Sequence, residues 1–200
     1  MNFLLLIGSL RADSYNRKVA EAYIKLAGAR AKFIEGDFSK FPLYNEEIQA
    51  QGFPVEVTAL ADQIRTSDAV LIVSPEYNYS VPGALKNALD WVSRLKDQPF
   101  AGKACSVIGA SVGGIGTARM QYHLRQIGVF LDMQFMTKPE IMVGKVQGLI
   151  DESGKLSDAV TLEFLRKHFD AFEKFAARTN QPSGDRTEPA RPSDSRSASE

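Results

Sequence analysis

The sequence predicts an open α/β fold: a doubly wound, five-stranded parallel sheet with helices on both faces. Three observations carry this expectation. Short apolar runs bounded by turn residues alternate with helical stretches from Phe3 to Arg178. Phe3 to Ile7 and Val70 to Val73 are apolar throughout, as strands buried on both faces must be, while Lys32 to Glu35 alternates. The connections are short, which suits crossovers between neighbouring parallel strands.

Phe3 to Ile7 is the first strand, closed by Gly8, and Arg17 to Ala29 the first helix. Lys32 to Glu35 is the second strand. Asp37 to Pro54 has aromatic residues, Pro42 and little periodicity, so it reads as a long irregular loop with Phe38, Phe41, Leu43 and Tyr44 folded inward. The adjacent acids Glu46 and Glu47 diverge on any regular element and read as solvated charge. Val55 to Thr66 is a helix with Val57, Leu60, Ala61 and Ile64 on one face. Val70 to Val73 is the third strand, stopped by Ser74-Pro75. The helix after it carries Ala84, Leu85, Ala88, Leu89 and Val92 at helical spacing, with Pro82 in its first turn and Ser80 or Val81 as cap.

Ala104 to Gly109 is the fourth strand, and Ala118 to Ile127 a helix ended by Gly128. Val129 to Met136 with Pro139 to Val143 supplies the fifth strand. Leu156 to Arg178 is a last amphipathic helix bearing Val160, Phe164, Leu165, Phe169, Phe172 and Phe175, with His168 a surface or boundary residue beside that face. Neither His168 nor His123 belongs to a catalytic motif. Residues 179–200 contain no Val, Ile, Leu, Met or aromatic residue and are rich in Pro and Ser. Such a segment cannot offset its ordering entropy and is expected to be a disordered tail. Residues 1–178 are then one domain.

Composition narrows the function. Lys and Arg number 24 against 24 Asp and Glu, so no global field favours nucleic acid or an anionic membrane surface. The lone Cys105 lies in an apolar run and reads as an inert strand residue. The opening apolar run has no basic leader and falls far short of a membrane span. A cytoplasmic protein acting without nucleic acid or membrane is expected.

Three loops stand out. Gly8-Ser9-Leu10-Arg11-Ala12-Asp13-Ser14-Tyr15-Asn16 packs hydroxyls, a guanidinium and an amide into a strand-to-helix turn. Helix N-terminal N–H groups favour an anion there, and Ser, Arg and Asn donors complete its shell. The plainer alternative is that Ser14 or Asn16 simply caps the helix. The second loop, Ser74 to Ser80, is polar and aromatic. The third, Ala110 to Thr117, has three glycines in four positions, which means close approach of backbone to something or positive φ.

Residues 74–91, Ser-Pro-Glu-Tyr-Asn-Tyr-Ser-Val-Pro-Gly-Ala-Leu-Lys-Asn-Ala-Leu-Asp-Trp, are similar to the signature of the NADPH-dependent FMN reductase family, soluble quinone, chromate and azo-dye reductases of flavodoxin-like fold. The family pattern Gly-Ser-x-Arg-x-x-Ser-x-Asn is present at 8–16. The resemblance implies that Ser9, Arg11, Ser14 and Asn16 meet the FMN phosphate, that Pro75, Glu76, Tyr77 and Asn78 meet the ring, and that Ser111, Gly113 and Gly114 meet the ring's far edge. It implies NADPH or NADH as donor and a small-molecule acceptor: a quinone, an azo compound, chromate or free flavin.

The topology agrees independently. In the flavodoxin-like order 2-1-3-4-5 the switch point lies between strands one and three, and ligands bind outside the carboxyl ends there. The first two unusual loops follow those strands and the glycine loop follows strand four, so all three rim one crevice. No Ser/His/Asp set and no metal-ligand spacing accompanies it, and a cofactor is expected to carry the chemistry. An electron carrier acting with a protein partner is the alternative, as is a flavin-free protein holding another phosphorylated ligand. No acidic residue occupies the ribose position that would reject NADPH, and Arg119 is the candidate for its 2′-phosphate. The helix bearing Leu85, Leu89, Trp91 and Val92 has more large apolar residues than one buried stripe needs, which together with the resemblance implies a homodimer or homotetramer.

Overall fold

The computed structural model describes residues 1–181, so all but the first three residues of the expected tail lie outside the described residues. The strands are β1 (Asn2–Ile7), β2 (Lys32–Glu35), β3 (Ala69–Val73) and β4 (Ala104–Ala110), followed by two short ones, β5 (Gln134–Phe135) and β6 (Ile141–Val143). All pairings are parallel and the order is β2-β1-β3-β4-β5, with β6 also on β4. This is the flavodoxin-like order expected. The fifth strand is interrupted: β5 pairs with Ala104 and Cys105 at the start of β4, and β6 with Ile108 to Ala110 at its end. Pro139 lies in the gap, where it has no N–H to offer a ladder.

Helices α1 (Tyr15–Ala27) and α6 (Ala159–Thr179) pack on one face of the sheet. Helices α3 (Val55–Thr66), α4 (Gly83–Val92) and α5 (Ala118–Phe130) pack on the other. None of the described helices is long and apolar enough to cross a membrane. Cys105 is fully buried between these layers, and burial pushes its thiol pKa up, in keeping with an inert role.

Several local expectations are corrected. Gly128 does not end α5: a Cβ there would collide with the Phe135 ring, so the glycine is a packing requirement inside the helix. Pro82 is the cap position of α4 rather than a first-turn residue. The 37–54 segment contains a short helix, α2 (Glu46–Ala50), capped by the Asn45 side chain. That segment is anchored on α4. The Pro42 carbonyl accepts from Asn87 Nδ2 and Trp91 Nε1, both at 2.8 Å, while Asn87 Oδ1 accepts from the Tyr44 N–H at 2.8 Å. The anchoring buries Trp91 and turns Leu43 outward, where it is 82% exposed. Leu85, Leu89 and Val92 are buried against the sheet, so α4 has no surplus apolar surface.

On α6 the core stripe is Leu165, His168, Phe169, Phe172 and Ala176, whereas Val160 and Phe164 are exposed. His168 is therefore interior, not a boundary residue. Its Nδ1 lies 2.7 Å from the Tyr23 hydroxyl and its Nε2 2.9 Å from the Ser106 hydroxyl, joining α6, α1 and β4. Both partners are hydroxyls able to donate or accept, so the neutral imidazole, with one donating and one accepting nitrogen, is satisfied on both sides. Burial, with a smaller contribution from Arg125, lowers its pKa from 6.5 to about 3.

The unfolded chain binds this proton below its ordinary pKa and the folded chain does not. The stability is thus fully present above pH 6.5 and declines as pH falls from there towards 3, by up to about 1.4 kcal/mol per pH unit. Urea unfolding of wild type and His168→Gln across pH 7 to 4 reads this directly: the variant should be less stable at pH 7 and lose the corresponding part of the slope. Identical slopes would mean that His168 does not resist protonation.

Candidate functional site

The carboxyl ends of β1, β3 and β4 meet with almost no side-chain volume between them. A Cβ on Gly8 would collide with the Ser74 side chain, and one on Gly109 with the Ser74 carbonyl and Thr117. Three chain reversals leave this point together, and they are the three loops singled out in the sequence.

In the first loop Ser14 caps α1, its Oγ accepting from the Asn16 N–H at 3.2 Å. Capping and anion binding are compatible here. The first-turn N–H groups of Tyr15 and Arg17 have no intrahelical acceptor, and the turn contains no acid. The Ser9 side chain is buried, with Oγ accepting weakly from the Arg11 N–H at 3.4 Å. Arg11 is exposed and donates only a 3.3 Å contact to the Asp13 carbonyl, which leaves its guanidinium available. The Asp13 carboxylate is drawn to Lys18 at 2.6 Å, and that hydrogen-bonded ammonium holds its pKa low.

Asn16 has a different part from the one expected. Its side chain is buried, with Nδ2 donating to the Ala110 carbonyl and Oδ1 accepting from the Ala110 N–H, both at 2.9 Å. Both ends of the amide are engaged, so Asn16 clamps α1 to β4 and is not among the open donors.

In the second loop Tyr77 and Ser80 exchange backbone hydrogen bonds of 3.1 and 3.0 Å around Asn78 and Tyr79, which have φ of 50° and 66°. Two successive left-handed residues make the primed turn usual for glycine and asparagine, and a tyrosine there is strained. A strong contact holds it: the Arg119 guanidinium lies 3.5 Å over the Tyr79 ring. Arg119 also pairs with Glu76 at 2.6 Å, and the other Glu76 oxygen accepts from the Met120 N–H at 3.1 Å at the start of α5. Glu76 thus ties this loop to α5 by its side chain. Arg119 is engaged on both sides, which removes it as a free phosphate partner. Pro75 is buried, and Tyr77 stands 45% exposed with its hydroxyl 3.4 Å from Ser9 Oγ, linking the first two loops.

The third loop is closed on itself. Ser111 Oγ donates to the Gly116 carbonyl at 2.6 Å, and Gly116 takes φ of 61°. The backbone N–H groups of Val112, Gly113, Gly114 and Ile115 make no hydrogen bond among the described residues. A Cβ on Gly114 would meet nothing within 4 Å, and one on Gly113 only Ser111 Oγ at 3.5 Å. The protein itself leaves these glycines room. Behind them Gly144 packs so closely that a Cβ there would strike the Gly113–Gly114 backbone.

The acid that ends β2, Glu35, is engaged by the first helix: its two oxygens accept from Arg17 at 2.8 and 3.0 Å. Sequence reasoning also missed the hydrogen bond between Ser80 and His123 at 2.8 Å.

The arrangement offers an anion pocket at the start of α1, opening onto a shelf of exposed Tyr77 and unpaired backbone donors. This fits a phosphorylated flat heterocycle: the buried Ser9 and Ser14 hydroxyls suit the phosphate, and Gly113 and Gly114 leave space at the far edge.

Comparison with known proteins agrees. The model of the family described as NADPH-dependent FMN reductase matches residues 1–148. A quinone reductase of Escherichia coli (strain K12) is 49% identical over 181 residues, covering 89% of this chain and 96% of that protein. An NAD(P)H-dependent FMN reductase of Pseudomonas aeruginosa is 45% identical over 171 residues, covering 86% and 92%. Among solved structures, FerB, a flavoenzyme NAD(P)H:(acceptor) oxidoreductase from Paracoccus denitrificans, superposes with a TM-score of 0.82 at 36% identity, covering 89% of this chain and 98% of that one. With its loops, its strand order and these relatives in agreement, the chain belongs to the NADPH-dependent FMN reductase family.

Proposed function

We propose that this protein uses bound FMN to carry electrons from NADPH or NADH to small acceptors, quinones foremost, with azo compounds, chromate and free flavin as further members of the class. The observation that carries this reading is the convergence, at one switch point, of an anion pocket and an open shelf suited to a flat ring. When bound, FMN supplies the two-electron relay between nicotinamide and acceptor.

The chain's own residues bind, orient and exclude. Ser9, Ser14, Arg11 and the first-turn N–H groups of α1 hold the phosphate. Tyr77 and the backbone of Pro75, Glu76 and Asn78 shape one side of the ring site, and the open N–H groups around Gly113 and Gly114 reach its far edge. Ser111 and Glu76 act by fixing their loops, and Asn16 by holding the phosphate loop in register with β4. With one crevice and no second ligand motif, donor and acceptor would share the open side of the site and take turns there. The cytoplasm, where reduced nicotinamide is available, is the compartment this reaction calls for.

The protein also pairs with itself, as a homodimer or as a homotetramer built from two. With α4 buried, the support is Tyr79, Val112, Ile115 and Tyr122, large apolar residues exposed on the second and third loops and on α5. Light scattering at micromolar concentration should give at least twice the chain mass; a value near 22.0 kDa would overturn the assembly.

Steady-state kinetics with NADPH and benzoquinone should give parallel double-reciprocal lines, and NADPH alone should bleach the flavin without any partner protein. Intersecting lines would remove the shared face, and a flavin that stays oxidised would remove the reductase reading.

Two variants separate binding from support. Arg11→Ala removes a charge-assisted contact worth about 1.5–3 kcal/mol and should weaken FMN roughly ten- to a hundredfold while sparing riboflavin, which lacks the phosphate. Asn16→Ala leaves both Ala110 groups unpaired and should cost about 2–5 kcal/mol of stability, weakening FMN and riboflavin together. Flavin-fluorescence titrations and urea unfolding test both. Equal losses of the two flavins in Arg11→Ala would retire the phosphate assignment of the first loop.

A further inference from the structure

Away from the crevice, α1, the segment before α6 and the first turns of α6 enclose a cleft of ≈ 410 Å³. Its floor is apolar, made by Ala22, Leu26, Leu156 and Leu162. Its rim is cationic, with Lys18, Lys25 and Lys155 set against the single acid Glu21. On α1 the positions 18, 22, 25 and 26 fall on one stripe by helical spacing. Ala22 is the smallest of them, and it leaves a hollow between longer neighbours. Lys18 is committed to Asp13 at 2.6 Å. Lys25 and Lys155 make no ion pair among the described residues.

We infer that this cleft binds a hydrophobic monocarboxylate, an unbranched acid of roughly six to ten carbons by the size of the hollow. The apolar floor takes the chain, and the lysine stems add apolar wall while their ammonium groups stay in water at the rim. The two ammonium groups without an ion pair set the charge of the ligand: the rim favours an anion, while a neutral alcohol of the same length gains no charge assistance. A short polyanion would leave the apolar floor of Ala22, Leu26, Leu156 and Leu162 wet, so a chain-bearing anion suits the cleft better. None of the cleft's lining residues belongs to the flavin site, so this inference does not rest on the proposed function.

Isothermal titration of the purified full-length chain with sodium octanoate tests it. A saturable one-to-one isotherm is expected, weakening about fourfold for each methylene removed on going to butanoate. Octan-1-ol should bind at least about tenfold more weakly, and the exposed double change Lys25→Gln, Lys155→Gln should weaken octanoate by about tenfold. Ala22→Leu, a good helix former placed in the hollow, should abolish binding while leaving thermal stability intact or raised. Absence of saturable heat at millimolar octanoate overturns the site. So does binding that survives Ala22→Leu, or binding to phosphatidylglycerol vesicles without binding to monomeric octanoate, which would mark a basic surface rather than a cleft.

Discussion

The paired hydrogen bonds between the Asn16 side chain and the Ala110 backbone are the constraint on which the site depends. Helix α1 connects β1 to β2, yet its first-turn Asn16 reaches past β3 to Ala110 of β4. Two bonds of 2.9 Å at a buried amide hold the helix N-terminus there. The cost of leaving Ala110 unpaired in an interior makes that anchorage stiff. Because Ser14 and the first-turn N–H groups move with Asn16, the anion pocket is registered directly to the start of the glycine loop.

The second loop is held differently. Its left-handed Asn78 and Tyr79 would relax if isolated, and the surrounding contacts prevent that. Glu76 bonds to Arg119 and to the α5 N-terminus, and Arg119 then covers the Tyr79 ring. One carboxylate therefore fixes both the turn and the entry of the helix behind it. Tyr77, which flanks this turn, stands outward at 45% exposure.

Much of this was legible in the sequence, and the reason differs by element. Strand β3 is an unbroken apolar run and β1 and β4 are apolar but for Asn2 and Ser106, a pattern that burial on both faces explains, and their order follows from short crossovers. The three loops were legible because their residues are wasted on a plain connection. What could not be read was pairing across distance. Asn16 finds its partner 94 residues away, and Glu76 finds Arg119 at 43. In each case a side chain suited to a ligand was spent on the scaffold. Leu43 turned outward and Trp91 was covered because Pro42 became an acceptor for α4, which hydrophobicity does not reveal. His168 was legible in part: it falls at the spacing of Leu165, Phe169 and Phe172, but its hydroxyl partners lie on other elements.

The glycines of the crevice separate scaffold from site by a physical criterion. Gly8, Gly109 and Gly144 are forced by the protein, since a Cβ at any of them would meet Ser74, Thr117 or the glycine loop. Gly116 is forced by its φ of 61° as well as by Met142. Gly113 and Gly114 are under neither demand: their φ is ordinary and a Cβ would have space. A glycine in such a position costs conformational entropy for no structural return. It leaves the backbone open to approach from outside the chain, and the adjoining N–H groups make no hydrogen bond among the described residues. The forced glycines bring three strand ends together, and the unforced pair leaves the backbone beside that meeting point open.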